Sequence, residues 1–327
     1  MTEGKLSTRI PDKGFLVEHL QEQIEMMEEQ DYRNQEIMTA EAAPAPAELI
    51  PGTLYLCATP IGNLGDITDR VLRTLRAVDL IAAEDTRNTL RLLNHFDIKK
   101  PLTSYHEYNK YDKADELINK LRNGATIALV TDAGTPAISD PGEVIAAKCL
   151  EQGIRVTSLP GACALITALT MSGMPARRFC FEGFLPSDKK ERRRILTQLR
   201  TEERTTILYE APHHLRGTLQ ELYDNLGDRC ITLCRELTKR YEEALPMSLL
   251  TAIGYYEENE PRGEYVLVLA GADRAELEEE KRRSFEDMPL EEHMEMYVAQ
   301  GLSRKEAMKK VAADRGVSKR DIYKELL

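Results

Sequence analysis

From residue 52 onward, short apolar runs alternate with longer stretches of amphipathic, helical spacing. The runs that predict β-strands are 53–58, 79–83, 102–105, 126–131 and 154–158. The stretches that predict helices are 67–77, 87–95, 111–123, 142–152 and 162–172. Regular alternation of strands and helices favours a mostly parallel sheet covered by helices. The pattern therefore predicts an α/β domain over residues 51–174.

A second unit is predicted after Ser172-Gly-Met-Pro175, because this segment interrupts the first pattern. Its predicted strands are 178–184, 205–210, 229–235 and 264–269, and its predicted helices are 188–200, 213–226 and 246–257. We expect these elements to form a second α/β domain over residues 175–272.

The N-terminal end of the chain differs from both predicted domains. Residues 1–50 hold eleven acidic and four basic side chains, and Glu41-Ala-Ala-Pro-Ala-Pro-Ala47 is typical of a linker. We therefore interpret this segment as an acidic extension joined to the first domain. The linker motivates the hypothesis that Met38 is the biological start, which mass spectrometry of the native N-terminus would test.

The C-terminal end is predicted to be helical. Residues 273–287 are charged and poorly patterned, which predicts a linker. Residues 288–327 predict three short helices, because Ser303 and Glu306 fit a capping box and Gly301 and Gly316 mark helix ends. Residues 301–327 carry eight basic and four acidic side chains, so this unit suits RNA binding. A plain helical cap on the domain explains the same pattern equally well.

Charge and composition narrow the functional class. The formal net charge is −11, yet residues 186–204 carry seven basic and four acidic side chains, which predicts a local basic patch. No apolar run is long enough to span a bilayer and no signal peptide is visible, which favours a cytoplasmic location without a membrane partner. The six cysteines include no CxxC pair, so we expect reduced thiols and no metal site.

Three loops that follow predicted strands contain proline close to the strand end, at 58–64, 131–142 and 159–163. Ligands of open α/β sheets bind beyond the carboxyl ends of the strands, so these loops form the candidate site. Proline keeps its carbonyl but has no N–H, so we expect these loops to present bare carbonyl oxygens. Neither of the phosphate-binding motifs GxxxxGK[ST] and GxGxxG occurs in a strand–helix context here. The loops therefore favour a ligand with hydrogen-bond donors or positive charge over an anion. Prolines that merely stiffen turns are the alternative.

Seven sequence motifs indicate a family more specifically than the spacing of elements does. The relevant motifs are ATPIGNLGDIT (58–68), AAEDTRNT (82–89), VTDAGTPAISDPG (130–142), PGACALITAL (160–169), FCFEGFLP (179–186), YEAPHHL (209–215) and CRELTKRYEE (234–243). In these motifs the chain resembles the ribosomal RNA small subunit methyltransferase I family, which has the tetrapyrrole-methylase-like fold. The resemblance extends from about Gly52 to Gly271, and the C-terminal helices also fit.

The resemblance implies two α/β domains of the class III methyltransferase type, with a cleft between them that binds S-adenosyl-L-methionine. It also implies a homodimer that methylates the ribose 2′-oxygen of a decoding-region cytidine in 16S ribosomal RNA of the small subunit. Two features depart from the family: residues 1–50 have no counterpart, and His214 stands where the family usually has arginine, with Arg216 nearby.

The resemblance further implies which residues contact the methyl donor. The predicted set from the first domain is Thr59, Pro60, Asp132, Gly134, Thr135, Pro136, Leu159 and Pro160. The predicted set from the second domain, expected at the adenosine, is Tyr209, Glu210, Ala211, Arg235, Glu236 and Leu237. For Glu210 and Glu236, an ion pair between neighbouring strands is the alternative interpretation.

Catalytic candidates follow the second and third strands and should open on the same side of the sheet. Asp85 would pair with Arg87 and hold it toward a phosphate, and His106 would act as a base. A helix N-cap role for Asp85 and a structural role for His106 are the alternatives. The predicted RNA contacts are Lys189, Lys190, Arg192, Arg193 and Arg194.

Two other functions share parts of this pattern. A small-molecule methyltransferase of the same fold, acting on a tetrapyrrole or a similar acid, needs the cofactor loops but not the basic segments. A non-catalytic ribosome-binding protein would retain the basic segments without binding a methyl donor.

Overall fold

The computed structural model describes residues 49–285 and 288–326, so residues 1–48 of the acidic extension, with Met38 among them, lie outside the described residues. The first domain contains a parallel sheet in the order β3-β2-β4-β1-β5. Its strands are β1 Thr53–Cys57, β2 Leu80–Ala83, β3 Leu102–Ser104, β4 Ile127–Val130 and β5 Arg155–Leu159. The helices are α1 Asp69–Ala77, α2 Thr86–His95, α3 Lys110–Arg122, α4 Gly142–Glu151 and α5 Ala164–Ser172. The elements predicted for this domain are confirmed, with ends that differ by a few residues.

Both faces of the first sheet are covered, as expected for a parallel sheet. The side chains of β1 alternate between two cores: Leu54 and Leu56 pack with α3 and α4, whereas Tyr55 and Cys57 pack with α1 and α2. Because successive strand residues point to opposite faces, one apolar run serves both layers. The central strands are therefore buried, and the loops at the ends of the strands remain available to form a site.

The second domain departs from the predicted pattern. Its sheet has the order β6-β7-β10-β8-β9, and only β6 and β7 are parallel. The strands are β6 Phe179–Phe184, β7 Thr205–Glu210, β8 Cys230–Arg235, β9 Glu243–Ser248 and β10 Tyr265–Leu269. The helices are α6 Lys189–Leu199, α7 Pro212–Leu226 and α8 Leu249–Glu258.

The strand β9 is missing from the sequence prediction, which placed a helix over 246–257. The helix α8 begins only at Leu249, with Ser248 as its N-cap. Pro246 lies within β9, which is an edge strand of the sheet. An edge strand tolerates proline because one of its sides needs no backbone donor. Proline and the lack of β-branched residues made this strand unrecognisable in the sequence.

Helix α5 joins the two domains. Leu165, Ala168 and Leu169 of this helix pack on the face of the second sheet, against Ile207 and Val266 among others. The helix lies at the end of the first domain as predicted from sequence, yet it buries its apolar side in the second domain. This packing attaches the end of the first domain to the second sheet.

The C-terminal segment contains the three predicted helices, α10 Leu290–Ala299, α11 Arg304–Asp314 and α12 Lys319–Glu325. The capping box of Ser303 and Glu306 is present, and Ser318 forms a second one with Asp321. Residues 274–283, predicted as an unpatterned linker, instead form helix α9 (Arg274–Arg283), whose N-cap Asp273 accepts hydrogen bonds from two backbone N–H groups. Its solvent-exposed charges hid this helix, because it buries no apolar stripe.

Two expectations from composition can be compared with the structure. All six cysteines are free thiols, and Cys230 and Cys234 share strand β8, although Cys230 is exposed and is not a core residue. Across residues 49–285 and 288–326, we find no helix with the length and apolarity needed to cross a bilayer.

Candidate active site between the two sheets

The three proline-containing loops meet at the carboxyl edge of the first sheet, as predicted. The N–H of Thr59 donates to the carbonyl of Gly134 at 2.9 Å, and the N–H of Gly134 donates back at 3.0 Å. The hydroxyl of Thr135 donates to the carbonyl of Ala162 at 3.0 Å. A Cβ on Gly161 would lie 2.7 Å from that of Ala58, so the first and third loops need glycine to approach this closely. The three loops form one connected rim.

These bonds change the predicted chemistry of the loops. The carbonyl oxygens of Thr59, Gly134 and Ala162 accept hydrogen bonds inside the rim and are not left bare. The expectation that proline-containing turns present unpaired carbonyls is therefore wrong at these positions. Charge selection must come from side chains instead.

A cavity of about 500 Å³ separates this rim from the second sheet. Of the predicted cofactor residues, those on its wall are Asp132, Gly134, Thr135, Tyr209, Glu210, Ala211, Glu236 and Leu237. Thr59 and Pro60 line a neighbouring cavity of about 380 Å³, which also contains Asp132 in its wall. Pro136, Leu159, Pro160 and Arg235 line neither cavity.

The wall of the larger cavity is rich in carboxylates. The acidic residues in it are Glu84, Asp132, Asp140, Glu210, Glu236 and Glu264, and the only basic residue among the described lining residues is Lys239. Desolvation raises the pKa of Asp132 above its ordinary value, and repulsion by Glu84 adds to the effect. Burial likewise raises the pKa of Asp140. A cavity with this excess of acids favours a ligand that carries positive charge.

Several of these carboxylates are oriented by hydrogen bonds. Glu84 accepts from the hydroxyl of Thr131 at 2.6 Å. Asp140 accepts from the N–H groups of Ala137 and Gly142, both at 2.8 Å, and so shapes the turn before α4. Glu210 accepts from the hydroxyl of Thr218 at 2.5 Å. The carboxylates are thus held in place before any ligand binds, which lowers the entropic cost of binding.

The second domain contributes an aromatic side to the cavity. Tyr209 contacts the rings of Phe181 and Phe184 edge to face, at centroid distances of 5.0 and 5.6 Å. Its hydroxyl accepts from the N–H of Leu165 at 3.2 Å, and burial raises the pKa of Tyr209 to about 12. This bond ties the strand end to the start of α5. Phe184 was not predicted as a site residue, because its alternating strand pattern does not tell which domain it faces.

A loop after β8 closes one end of the cavity. Glu236 and Thr238 both have left-handed backbones, with φ of 51° and 65°, which is uncommon for residues other than glycine. The ammonium of Lys239 lies 3.0 Å from Glu236, and a Cβ on Gly62 would lie 2.5 Å from Cγ of Lys239. Lys239 therefore bridges the second domain to the first loop. Lys239 lies within the motif at 234–243, but it was not predicted as a site residue, because this contact exists only between docked domains.

The alternative role considered for Glu210 and Glu236, an ion pair between neighbouring strands, is not what the structure contains. That pair is formed instead by Arg235 with Glu243 of β9, at 2.7 Å. This contact accounts for the position of Arg235 outside the cavity wall.

The three catalytic candidates lie beyond both cavity walls. Asp85 caps α2 and pairs with Arg87 at 2.7 Å, so the predicted pairing and the N-cap interpretation both hold. The hydrogen bonds from Arg87 lower the pKa of Asp85 to about 2. The backbone N–H of His106 donates to Asn109 at 2.8 Å, while its ring Nδ1 is buried without a partner among the described residues.

The predicted RNA-binding residues divide into two groups. Lys189, Lys190 and Arg193 are exposed on α6, and Arg194 is half-exposed beside Glu191. Arg192 instead reaches across to α7, where it binds Glu221 and the hydroxyl of Thr218. We therefore assign Arg192 to packing between helices.

The segment that departs from the family pattern lies at the start of α7. The rings of His213 and His214 are in contact at 4.1 Å between centroids, with their planes inclined by 48°. Arg216 donates to the carbonyls of Tyr256 at 2.6 Å and Asn259 at 3.3 Å, at the C-terminal end of α8. A cation is favourable at a helix C-terminus, so Arg216 has a structural explanation.

Comparisons with known proteins agree with this arrangement. Residues 53–252 match the family model described as Tetrapyrrole (Corrin/Porphyrin) Methylases. The chain is 50% identical over 272 residues to the ribosomal RNA small subunit methyltransferase I of Halalkalibacterium halodurans, covering 83% of this chain and 93% of the relative. It is 50% identical over 273 residues to the protein of the same name from Synechocystis, covering 83% and 96%.

Two solved structures have the same fold at low sequence identity. Diphthine synthase aligns with a TM-score of 0.53 at 16% identity, over 73% of this chain and 98% of that chain. Cobalt precorrin-4 methyltransferase aligns with a TM-score of 0.51 at 16% identity, over 68% and 98%. These two similarities concern the fold alone.

Proposed function

The chain belongs to the ribosomal RNA small subunit methyltransferase I family of the tetrapyrrole methylases and is an S-adenosylmethionine-dependent methyltransferase. From this premise we propose that it methylates the ribose 2′-oxygen of a cytidine in the decoding region of 16S ribosomal RNA. The observation that carries the placement of the donor is the acidic cavity between the two sheets. A volume of about 500 Å³ is in the range of sites for small ligands.

The residues of this cavity fit S-adenosylmethionine, which supplies an electrophilic methyl group on a positively charged sulfur. Asp132, Gly134 and Thr135 of the rim would contact its methionine part. Tyr209, Ala211 and Leu237 would contact its adenosine, with Phe184 and Ile61 providing further apolar surface. The excess of carboxylates favours a cation, and it disfavours the polyphosphate of a nucleotide.

The protein's main contribution to such a reaction is to position the two partners. The ribose oxygen must lie in line with the carbon–sulfur bond, and holding it there removes much of the entropic barrier. Hydrogen bonds within the rim and the bridge from Lys239 to the first loop keep the cavity walls fixed. Removal of the hydroxyl proton by a nearby base assists the attack.

Binding of the RNA would use exposed cations on two surfaces. Lys189, Lys190 and Arg193 form the first, and Arg87, held by Asp85, lies near the cleft. The second surface is the C-terminal unit, whose exposed basic residues are Arg304, Lys305, Lys309, Lys310, Lys319, Arg320 and Lys324. Because Ala307, Val311 and Ile322 of α11 and α12 are buried in a small core of their own, the basic residues face solvent and remain available to phosphates.

A labelled-methyl transfer assay tests the proposal. Purified protein is mixed with small ribosomal subunits that lack the modification, and the methylated position is mapped. We expect one methyl group on the ribose oxygen of a cytidine. A label on a base, or none despite donor binding in calorimetric titration, would contradict the proposal. Transfer to a tetrapyrrole acid instead would favour the small-molecule alternative.

A matched pair of variants tests the RNA surface. Lys190→Ala removes an exposed cation from α6. Lys99→Ala removes an exposed cation from the segment just before β3, at the amino ends of the strands of the first sheet. We expect Lys190→Ala to raise KM for the subunits and to lower the slope of log affinity against log salt by about 0.7–0.9. Lys99→Ala should change neither quantity. Equal effects of both variants would remove the case for α6.

A further inference from the structure

The smaller cavity, of about 380 Å³, has no role in the placement of the methyl donor described above. It lies between the first loop of the rim and helix α2. The two cavities share Thr131 and Asp132 as lining residues. A group bound in one cavity is therefore separated from a group bound in the other by little more than the Asp132 side chain.

The residues that line the smaller cavity differ in chemistry from those that line the larger one. Asn88, Arg91, Leu92 and His95 of α2 line it, and their spacing places them on one face of the helix. Arg91 and His95 are exposed, and neither forms an ion pair with any residue in the described ranges. Asp132 is its only acidic lining residue among those described. This wall thus places a guanidinium and an imidazole side by side as hydrogen-bond donors for a phosphate, in contrast to the carboxylate-rich larger cavity.

Asp132 is oriented on the shared wall by two hydrogen bonds. The backbone N–H of Asp85 donates to its Oδ1 at 3.2 Å, and the amide of Asn88 donates to its Oδ2 at 3.2 Å. Each carboxylate oxygen keeps further acceptor capacity, because it has two lone-pair sites. The side chain is also exposed to the cavities, so a bound hydroxyl can reach it.

We propose that the smaller cavity binds the nucleotide to be methylated, with Arg91 and His95 at its phosphate and Asp132 as the acceptor of the 2′-hydroxyl proton. This inference rests on the proposed function and assigns its second substrate site. The ribose oxygen forms a bond to the methyl carbon while the carbon–sulfur bond breaks, and the electron pair of that bond stays on sulfur. The proton of the hydroxyl passes to the Asp132 carboxylate.

The position of Asp132 distinguishes it from the other candidate bases. His106 lies beyond both walls, and Asp85 is committed to Arg87 and to the cap of α2. The raised pKa of Asp132 supports the assignment, because a stronger base accepts a proton more readily at neutral pH. Splaying the target nucleotide out of its stack into a separate cavity also agrees with how enzymes reach a single nucleotide in folded nucleic acid.

The first experiment compares two arginine variants in the methyl transfer assay with unmodified small subunits. Arg91→Ala alters the smaller cavity. Arg122→Ala removes a cation at the end of α3, close to the start of β4 and so near the amino ends of the parallel strands, away from both cavities. We expect Arg91→Ala to raise KM for the subunits roughly tenfold or more while leaving the donor affinity from calorimetry unchanged. Arg122→Ala should behave as the wild type. If the two variants behave alike in an active protein, the inference is wrong and the proposed function stands.

The second experiment replaces Asp132 by asparagine, which keeps the shape of the side chain. We expect kcat to fall about 10²- to 10⁴-fold and the rise of activity with pH on the acidic limb to disappear. Weaker donor binding with an unchanged pH profile would show that Asp132 only holds the donor and would overturn the inference. The inference would also be overturned if activity no longer rose with pH on the acidic side in His106→Ala but still rose there in Asp132→Asn. A wild-type protein that methylates no RNA refutes the proposed function, and the inference falls with it.

Discussion

Asp314 offers a direct test of how the C-terminal unit is held on the rest of the chain. Its carboxylate is almost fully buried, with 4% of the side chain exposed, and it accepts bonds from Lys281 of α9 at 2.5 Å and from the hydroxyl of Tyr297. His293, fully buried beneath Phe285, lies 3.3 Å from the same carboxylate. One side chain thus joins α9, α10 and α11, and Asp314→Ala removes the junction.

The loss of stability expected for Asp314→Ala follows from how deeply Asp314 and its partners are buried. Breaking a buried ion pair costs about 3–5 kcal/mol, but the ammonium of Lys281 is 58% exposed and regains water, so we expect about 2–3 kcal/mol. Within residues 288–326, the unit buries six apolar residues, Leu290, Met294, Ala307, Val311, Ala312 and Ile322. A core of this size leaves a stability margin of a few kcal/mol at most. Asp314→Ala should therefore unfold or release the unit without unfolding the two sheets.

Native-state hydrogen exchange with mass spectrometry measures this directly. We expect Asp314→Ala to remove protection in residues 290–325 while β1 and β10 keep the protection of the wild type. The matched control is Asp314→Asn, which keeps a carbonyl acceptor for Tyr297 and should lose less. Donor affinity should not change, whereas affinity for the small subunit should fall. Unchanged exchange in α10 to α12, or loss of protection throughout the chain, would refute the reasoning.

Three further predictions concern the site and the C-terminal unit. Gly161→Ala places a Cβ 2.7 Å from that of Ala58, so it should lower stability by about 1–3 kcal/mol in thermal unfolding and weaken donor binding in calorimetry; unaltered binding would contradict a close-packed rim. Tyr209→Phe leaves the N–H of Leu165 without its acceptor and should cost about 1 kcal/mol by denaturant titration, whereas the exposed Tyr323→Phe should cost nothing measurable. Burial lowers the pKa of His293 below its ordinary value, so the unfolded unit takes up a proton more readily than the folded unit as the pH falls. Protection of α10 should therefore fall as the pH drops below about 6.5, and greater protection at pH 5.5 than at pH 7.5 would contradict this.

The first domain was predictable because its strands and helices are specified by patterns within short segments of the chain. Each strand is a short buried run, each helix repeats at helical spacing, and strictly alternating elements leave a parallel sheet as the natural arrangement. The convergence of the loops that begin at Thr59, Thr131 and Leu159 followed from that sheet, since parallel strands end at one edge. The second sheet was less predictable, because the antiparallel pairing of β10 and the edge strand β9 depend on contacts between residues far apart in the chain.

The candidate site divides in the same way. Asp132, Tyr209 and Glu236 could be named from motifs at strand ends, and they line the larger cavity. Arg235 carries the same strand-end signal, and Arg192 belongs to a basic run on a helix. Each is nevertheless engaged by a partner, Glu243 and Glu221 respectively, that no spacing rule identifies.

By itself, then, the sequence determined the strands and helices of the first domain and most of those in the second, which loops share an edge of the first sheet, and which family the motifs resemble. Only the tertiary structure decided that α5 packs on the second sheet, that Lys239 reaches over Gly62, and that Asp132 separates a carboxylate-rich cavity from one lined by Arg91 and His95. The physical reason is range: hydrogen-bonded turns and apolar periodicity act over a few residues, whereas a cavity wall is assembled from groups on two domains. Its shape and charge exist only once those domains have docked.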